Sequence, residues 1–143
     1  MMISKLSPFI FLLVAVPNVM TIGMPGGLYP QDPNNPKFMR MAWKAVKYVD
    51  EDFNSSYMMV PIKVTEAWSQ VVGGINYYLV VLYGESACEK NEVAASEAPP
   101  ANCQYRANGN RALYNVKVHT RPWQHYEHFT VEKIRDVDAE EEI

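Results

Sequence analysis

Histidines, cysteines and carboxylates are the side chains of this sequence that could take part in chemistry. His125, Glu127 and His128 stand close together, as ligands of a metal ion often do. On a strand, however, the two histidines would point to opposite faces. No further ligand follows at a suitable spacing. We therefore predict exposed histidines at a strand end, with no metal and no cofactor.

The chain has two cysteines, Cys88 and Cys103, which flank an irregular segment. A disulfide between them is the favoured interpretation, because closing a loop of this length contributes about 3 kcal/mol in the chain-entropy model. The alternative makes Cys88 a nucleophile that works with a histidine. That alternative lacks a neighbouring helix start to activate the thiol.

Familiar catalytic patterns are missing from the sequence. It contains no G-x-S-x-G, no H-E-x-x-H and no Gly-rich phosphate loop. We therefore predict no catalytic residue and no enzyme.

The 13 Lys and Arg residues against 16 Asp and Glu give a net charge of -3 without a basic patch, which disfavours nucleic acid as a partner. The length of 143 residues, of which 48% are hydrophobic, is enough for one domain with a real core.

Residues 1–23 have the pattern of a secretory signal peptide. Lys5 is their one charged residue, an apolar stretch covers residues 9–16, and small or polar residues surround Gly23. The apolar stretch is shorter than the roughly 20 residues that cross a bilayer, and Pro17 interrupts it. We expect no membrane anchor, a secreted extracellular product, and a mature domain of residues 24–143.

The first elements of the mature chain are a lead-in and a helix. Residues 24–36 contain four prolines and two adjacent glycines, which predicts an extended, weakly structured segment. Asn35 followed by Pro36 is a typical helix start. Apolar residues then recur at spacings of three and four, which predicts one amphipathic helix of about four to five turns. These residues are Phe38, Ala42, Ala45, Val46, Val49 and Phe53.

After the helix the apolar period changes to two, which predicts strands. They are expected around residues 60–64, 75–83, 114–120 and 126–134, and Gly73-Gly74 joins the first two. Residues 84–109 show no period and are predicted to form an exposed appendage. A helix followed by an antiparallel meander is an α+β plan.

Three features are left unexplained by folding alone. Successive hairpins of a meander alternate ends, so the turns at Gly73-Gly74 and Pro122-Trp123 should project from the same end of the sheet. The lead-in, with its pair Gly26-Gly27, would add a third element there.

In these features the sequence resembles the type 2 cystatins, secreted inhibitors of papain-like cysteine proteases, and most of all the salivary cystatins of ticks. The family pattern is a glycine near the mature N-terminus, a Q-x-V-x-G loop and a Pro-Trp loop. The matching residues here are Gly26, then Gln70, Val72 and Gly74, then Pro122 and Trp123. The resemblance covers the whole mature chain and implies the cystatin fold, an antiparallel sheet of about five strands wrapped around one long α-helix.

The resemblance also implies a function. The chain would be a reversible, tight-binding, competitive inhibitor of papain-like proteases of the cathepsin type, acting as a monomer. An N-terminal trunk, residues 24–27, and two hairpin loops would block the active-site cleft. The protease-binding residues would be Met24, Pro25, Gly26, Gly27, Gln70, Val71, Val72, Gly73, Gly74, Pro122 and Trp123. The alternative is a non-inhibitory secreted binding module with the same fold.

Two further points follow from the resemblance. Type 2 members usually carry a second disulfide, which is missing here, and Tyr114 stands near the place of the third cysteine. This departure from the family pattern concerns stability and not inhibition.

Some members also inhibit legumain through an Asn after the helix, and Asn54 fits that position. Because Asn54 also heads the N-glycosylation sequon Asn54-Ser55-Ser56, either role is open.

Overall fold

A computed structural model describes residues 26–90 and 103–143. The strands form one antiparallel sheet in the order β1-β2-β3-β4-β5, and a 3-10 turn, Pro122–Gln124, joins the last two strands. This α+β arrangement confirms the predicted fold class. The elements are β1 (Leu28–Gln31), α1 (Pro36–Lys44), α2 (Val46–Asp52), β2 (Tyr57–Val71), β3 (Ile75–Glu89), β4 (Arg111–Arg121) and β5 (Tyr126–Val137).

The helix begins where its capping residues predict but is interrupted at Ala45. The Asn35 side chain accepts a hydrogen bond from the backbone N–H of Lys37, 3.0 Å away. Ala45 then separates α1 from α2, although its own N–H still donates to the carbonyl of Met41 at 3.1 Å. Its carbonyl accepts from Val49 at the same distance. The one long helix of the sequence prediction is thus two consecutive helices.

The core lies between the helices and the inner face of the sheet. Phe38, Ala42 and Val49 are fully buried on the helical side, as the period of the apolar residues predicts. Tyr83 on β3 is also fully buried and donates its hydroxyl to the carbonyl of Ala42 at 2.7 Å. The buried side chains of the sheet include Val64, Ala67, Leu79, Val81, Tyr83, Tyr114, Val116 and Val118.

The lead-in is more ordered than its proline content predicts. Residues 28–31 form the edge strand β1, in which Leu28 pairs with Gln70 and Gln31 with Ala67. Proline at position 30 fits there, since a strand at the edge of a sheet tolerates a residue without an N–H. The expectation of a weakly structured lead-in is therefore wrong for these four residues.

The segment predicted as an exposed appendage is partly built into the sheet. Strand β3 continues through Glu89, and Cys88 and Cys103 are buried and joined in a disulfide with a Cα–Cα distance of 5.3 Å. The disulfide prediction is confirmed, and it excludes Cys88 as a free nucleophile. Residues 91–102 lie outside the described residues.

Buried Glu85 attaches the end of this segment to the sheet. Its carboxylate accepts hydrogen bonds from the Ser55 hydroxyl, from the backbone N–H of Asn110 at 2.9 Å and from Arg106 at 3.2 Å. Burial raises the pKa of Glu85, but these hydrogen bonds and the Arg106 charge outweigh burial and lower the pKa overall. Glu85 is therefore held as a carboxylate. These contacts of Glu85 explain why β3 continues beyond Gly84, although the sequence there has no apolar period of two.

Candidate binding rim

The turn between β2 and β3 requires glycine for two different reasons. Gly73 and Gly74 have positive φ angles of 57° and 134°. The turn is closed by the N–H of Val72, which donates to the carbonyl of Gly74 at 3.0 Å. A Cβ on Gly73 would meet no atom within 4 Å, whereas one on Gly74 would stand 2.4 Å from the carbonyl oxygen of Thr120. The backbone of Gly73 is thus open to a partner, and Gly74 packs against β4.

A second turn lies beside the first. Strand register places Ile75 opposite Thr120, so the 3-10 turn that follows β4 emerges at the same end of the sheet as Gly73-Gly74. The turn closes with a hydrogen bond from the N–H of His125 to the carbonyl of Pro122, at 3.2 Å. Trp123 at its centre is 65% exposed. The common direction of the two turns agrees with the prediction from the alternation of hairpins.

The trunk reaches the same end of the sheet. Pairing of Leu28 with Gln70 aligns it with the first turn, and the Gln70 side chain donates from Nε2 to the carbonyl of Gly26 at 2.7 Å. Gly26 has a φ of 81° and open space around its Cβ position. Met24 and Pro25 lie outside the described residues. We call the end formed by residues 26–28, 71–75 and 122–125 the rim.

The rim exposes large apolar side chains. In the described part of the chain, seven large apolar residues stand out as exposed, and four of them lie on the rim. Such a concentration of exposed apolar area is typical of a surface that binds another protein. The four are Leu28 at 55%, Val71 at 60%, Val72 at 40% and Trp123 at 65%.

The histidines of the metal hypothesis do not converge. His125 lies in the turn, with a φ of 51°, and His128 lies within β5 opposite His119. Both are exposed, as predicted. Within residues 26–90 and 103–143, no group of three or more His, Cys, Asp or Glu side chains could hold a metal ion.

Asn54 lies at the other end of the molecule. It is exposed and follows α2, just before Tyr57 pairs with Glu89 at the end of the β2–β3 hairpin that is far from its turn. Tyr57 and Val71 are the two ends of the 15-residue strand β2, and Val71 begins the rim turn. A legumain site or a glycan at Asn54 stays a prediction, and either would leave the rim free.

Sequence reasoning missed the polar side chains behind the rim. Asn76 and Tyr78 on β3 and His119 and Arg121 on β4 form hydrogen bonds that lead to Gln70. Their alternation with core residues is the same as that of ordinary solvent-facing strand residues. The one feature of the sequence that could have indicated these hydrogen bonds is the i, i+2 spacing of the polar residues on each strand, which places them on one face.

No helix among the described residues is long and apolar enough to cross a membrane.

Comparison with known proteins agrees with the motifs and the fold. The family model for the cystatin domain matches residues 26–123, which span the rim from Gly26 to Trp123. Cystatin cpi-1 of Caenorhabditis elegans is 38% identical over 135 residues, covering 94% of this chain and 96% of that protein.

Solved structures give the same result. Al-CPI has 31% sequence identity and a TM-score of 0.62, with 76% of this chain and 99% of that chain covered. Mialostatin, a gut cystatin from the hard tick Ixodes ricinus, has 28% identity and a TM-score of 0.65, with 76% and 98% covered. Sequence motifs, sheet topology and these matches agree, and the chain belongs to the cystatin family, known inhibitors of cysteine proteases.

Proposed function

We propose that this protein is a reversible, tight-binding, competitive inhibitor of papain-like cysteine proteases of the cathepsin type. The observation that carries the proposal is the rim, where three chain segments present exposed apolar side chains at one end of a rigid sheet. The described cysteines are joined in a disulfide and supply no nucleophile. The rim is therefore suited to filling a cleft, and the target protease supplies the chemistry.

The first turn suits the centre of a narrow cleft. A backbone without Cβ at Gly73 can approach the walls of the cleft closely, and the open space around it leaves room for them. Val71 and Val72, which directly precede Gly73, add exposed apolar area to the turn. We propose that the turn fills the cleft without placing one of its own peptide bonds where the nucleophile of the protease could attack it.

The second turn supplies an anchor. Trp123 is a large side chain with only two torsions, and Pro122 fixes the backbone that presents it, so little conformational entropy is lost on binding. Exposed tryptophans of this kind are often the residues that contribute most to an interface.

The trunk would occupy the non-primed subsites of the target. Gly26 has a positive φ and no close neighbours at its Cβ position, and it would act as the joint that lets Met24 and Pro25 settle there. We further propose that the chain is secreted after loss of residues 1–23 and acts as a monomer outside the cell. The Cys88–Cys103 disulfide supports this location, because disulfides persist in oxidising compartments.

Titration of papain with the purified secreted product tests the proposal. One equivalent of wild-type protein should abolish activity, and competition with substrate should restore it. Trp123→Ala should weaken inhibition by about 30-fold or more, and Gly73→Arg, which adds a side chain on the open side of the turn, should weaken it further. Ile134→Ala is the matched control, because this exposed apolar residue lies on β5 away from the rim and should leave inhibition unchanged. Full papain activity with folded protein would favour the non-inhibitory binding module.

A further inference from the structure

A continuous series of hydrogen bonds runs across the outer face of the sheet, from the second turn to the trunk. It crosses β4, β3 and β2, reaches the second turn at Gln124 and the trunk at Gly26, and includes Gln70 and Asn76 on either side of the first turn. Its members, in order, are Arg121, His119, Asn76, Tyr78, Gln70 and the carbonyl of Gly26.

The first half of the series lies on β4 and the start of β3. Arg121 donates from Nε to His119 Nε2 at 3.3 Å, and the other ring nitrogen of His119 forms a hydrogen bond with Asn76 Oδ1. Arg121 also donates from Nη1 to Gln124 at 3.4 Å, which extends the series into the second turn. Asn76 is buried, so its amide is shielded from competing water.

The second half reaches the trunk. Asn76 donates from Nδ2 to the Tyr78 hydroxyl at 3.3 Å, and Tyr78 donates to Gln70 Oε1 at 3.0 Å. Gln70 then donates to the carbonyl of Gly26 at 2.7 Å. Every group in this half donates toward the trunk.

The hydrogen bonds of His119 favour one tautomer of its ring. An arginine can only donate, and an amide oxygen can only accept. His119 must therefore accept at Nε2 from Arg121 and donate from Nδ1 to Asn76. Only the neutral imidazole with its proton on Nδ1 does both.

We infer that this series positions the trunk and the second turn relative to each other, and that Gln70, Tyr78, Asn76 and His119 are positioning residues of the rim. The inference rests on the proposed inhibitory function. A short edge strand joins the trunk to the sheet, and the hydrogen bond from Gln70 fixes the position of the Gly26 carbonyl within the trunk. Preorganisation of this kind strengthens binding because fewer torsions are lost on docking.

A pH dependence follows from the same geometry. Protonation of His119 would place a second N–H against the Arg121 guanidinium and break the first bond of the series. The charged and titratable groups that face His119 are Arg121 and Lys117 on its own strand, His128 and Tyr126 on β5, and Tyr78 on β3. We therefore expect the series to loosen when the His119 ring gains a second proton.

The first test uses the free protein and is independent of any protease. Nitrogen NMR of the histidine rings should show His119 as the Nδ1–H form near pH 7. Backbone relaxation should show increased motion of the Gly27 amide, which shares a peptide plane with the Gly26 carbonyl, in Tyr78→Phe and in Gln70→Leu. Thr130→Val, on the same face of the sheet, should leave it unchanged. An Nε2–H ring or an unchanged Gly27 amide would overturn the inference, whether or not the protein inhibits.

The second test measures papain inhibition with the same variants. Tyr78→Phe should weaken inhibition about fivefold, as expected for one lost hydrogen bond, but less than twofold when Gln70→Leu is already present, because the series is then broken at the same place. Equal effects in both backgrounds would show that Tyr78 acts independently of Gln70. If wild type fails to inhibit at all, the proposed function fails, and the NMR result still decides the inference.

The third test separates the two neighbouring histidines. A glutamine at position 119 can both donate and accept without gaining a proton. Inhibition by His119→Gln should therefore lose less strength between pH 7 and pH 5 than inhibition by wild type, measured against the same protease. His128→Gln should keep the wild-type profile. Identical profiles for wild type and His119→Gln, or a change confined to His128→Gln, would overturn the role of His119.

Discussion

Gly74 lies against the end of β4, so that a Cβ atom in its place would stand 2.4 Å from the carbonyl oxygen of Thr120. The contact joins the first turn of the rim to the strand that leads into the second. The last glycine of the Q-x-V-x-G motif is thus required for packing within the free protein. It therefore helps to set how the two turns stand relative to each other.

Gly74→Ala should destabilise the protein by about 3 kcal/mol, because the new Cβ meets a backbone atom and the φ of 134° is strained for alanine. Gly73→Ala is the matched control, since it adds the same atom into open space and suffers only from its φ of 57°, at about 1 kcal/mol. Urea unfolding of both variants measures the difference. Equal losses would show that the contact with Thr120 is unimportant for stability.

The turns were the most predictable part of the fold. Gly73-Gly74 and Pro122 occupy positions where the backbone must reverse, and the structure confirms both turns. The strands between them follow from the apolar period of two. These features are local in sequence, and for this reason the sequence alone predicts where the two turns lie.

The interruption of the helix has no local signal. Alanine is the best helix former, yet the break falls at Ala45. Both helices pack on β2; α1 also contacts β3 through Phe38 and Ala42, and α2 lies close to β5. Contacts of this kind join residues that are far apart in sequence, so the helix propensity of a single residue does not report them.

The polar series behind the rim could not be predicted for a different reason. Asn76 and His119 are far apart in sequence and meet only because the register of β3 and β4 places them opposite each other. Register depends on the whole strand pair, and a shift of one strand by one residue would place the two side chains on opposite faces of the sheet.

Glu85→Gln should destabilise the protein at neutral pH and reduce its acid sensitivity. Because the pKa of Glu85 is lowered in the folded state, its carboxylate stabilises the fold above the unfolded pKa of about 4.3. That contribution is lost as pH falls through the folded pKa. The difference in unfolding free energy between wild type and variant should therefore narrow from pH 7 to about pH 3. A constant difference over this range would contradict the role of the Ser55 and Arg106 contacts.

Removal of the Cys88–Cys103 disulfide should cost about 3 kcal/mol of stability in the chain-entropy model, because the bridge closes a loop with a sequence separation of 15. Cys88→Ser combined with Cys103→Ser removes the bridge, and urea unfolding measures the loss. Reduced wild type serves as the control and should match the double variant. Inhibition of papain by the folded double variant should be retained, since Cys88 lies near the end of β3 away from the rim turn.

Tyr83 and Tyr114 should limit stability in alkali. Their rings meet edge to face at 5.7 Å, and burial raises the pKa of both hydroxyls. A raised folded pKa means that the stabilisation is present below the unfolded pKa of about 10 and is lost as pH rises. Tyr83→Phe should cost about 1 kcal/mol at pH 7, since the bond to Ala42 disappears. Above about pH 10 the variant should lose less stability than wild type in thermal unfolding, with exposed Tyr126→Phe as the unchanged control. If Tyr83→Phe and wild type lost equal stability above about pH 10, Tyr83 would not be the group that limits stability in alkali.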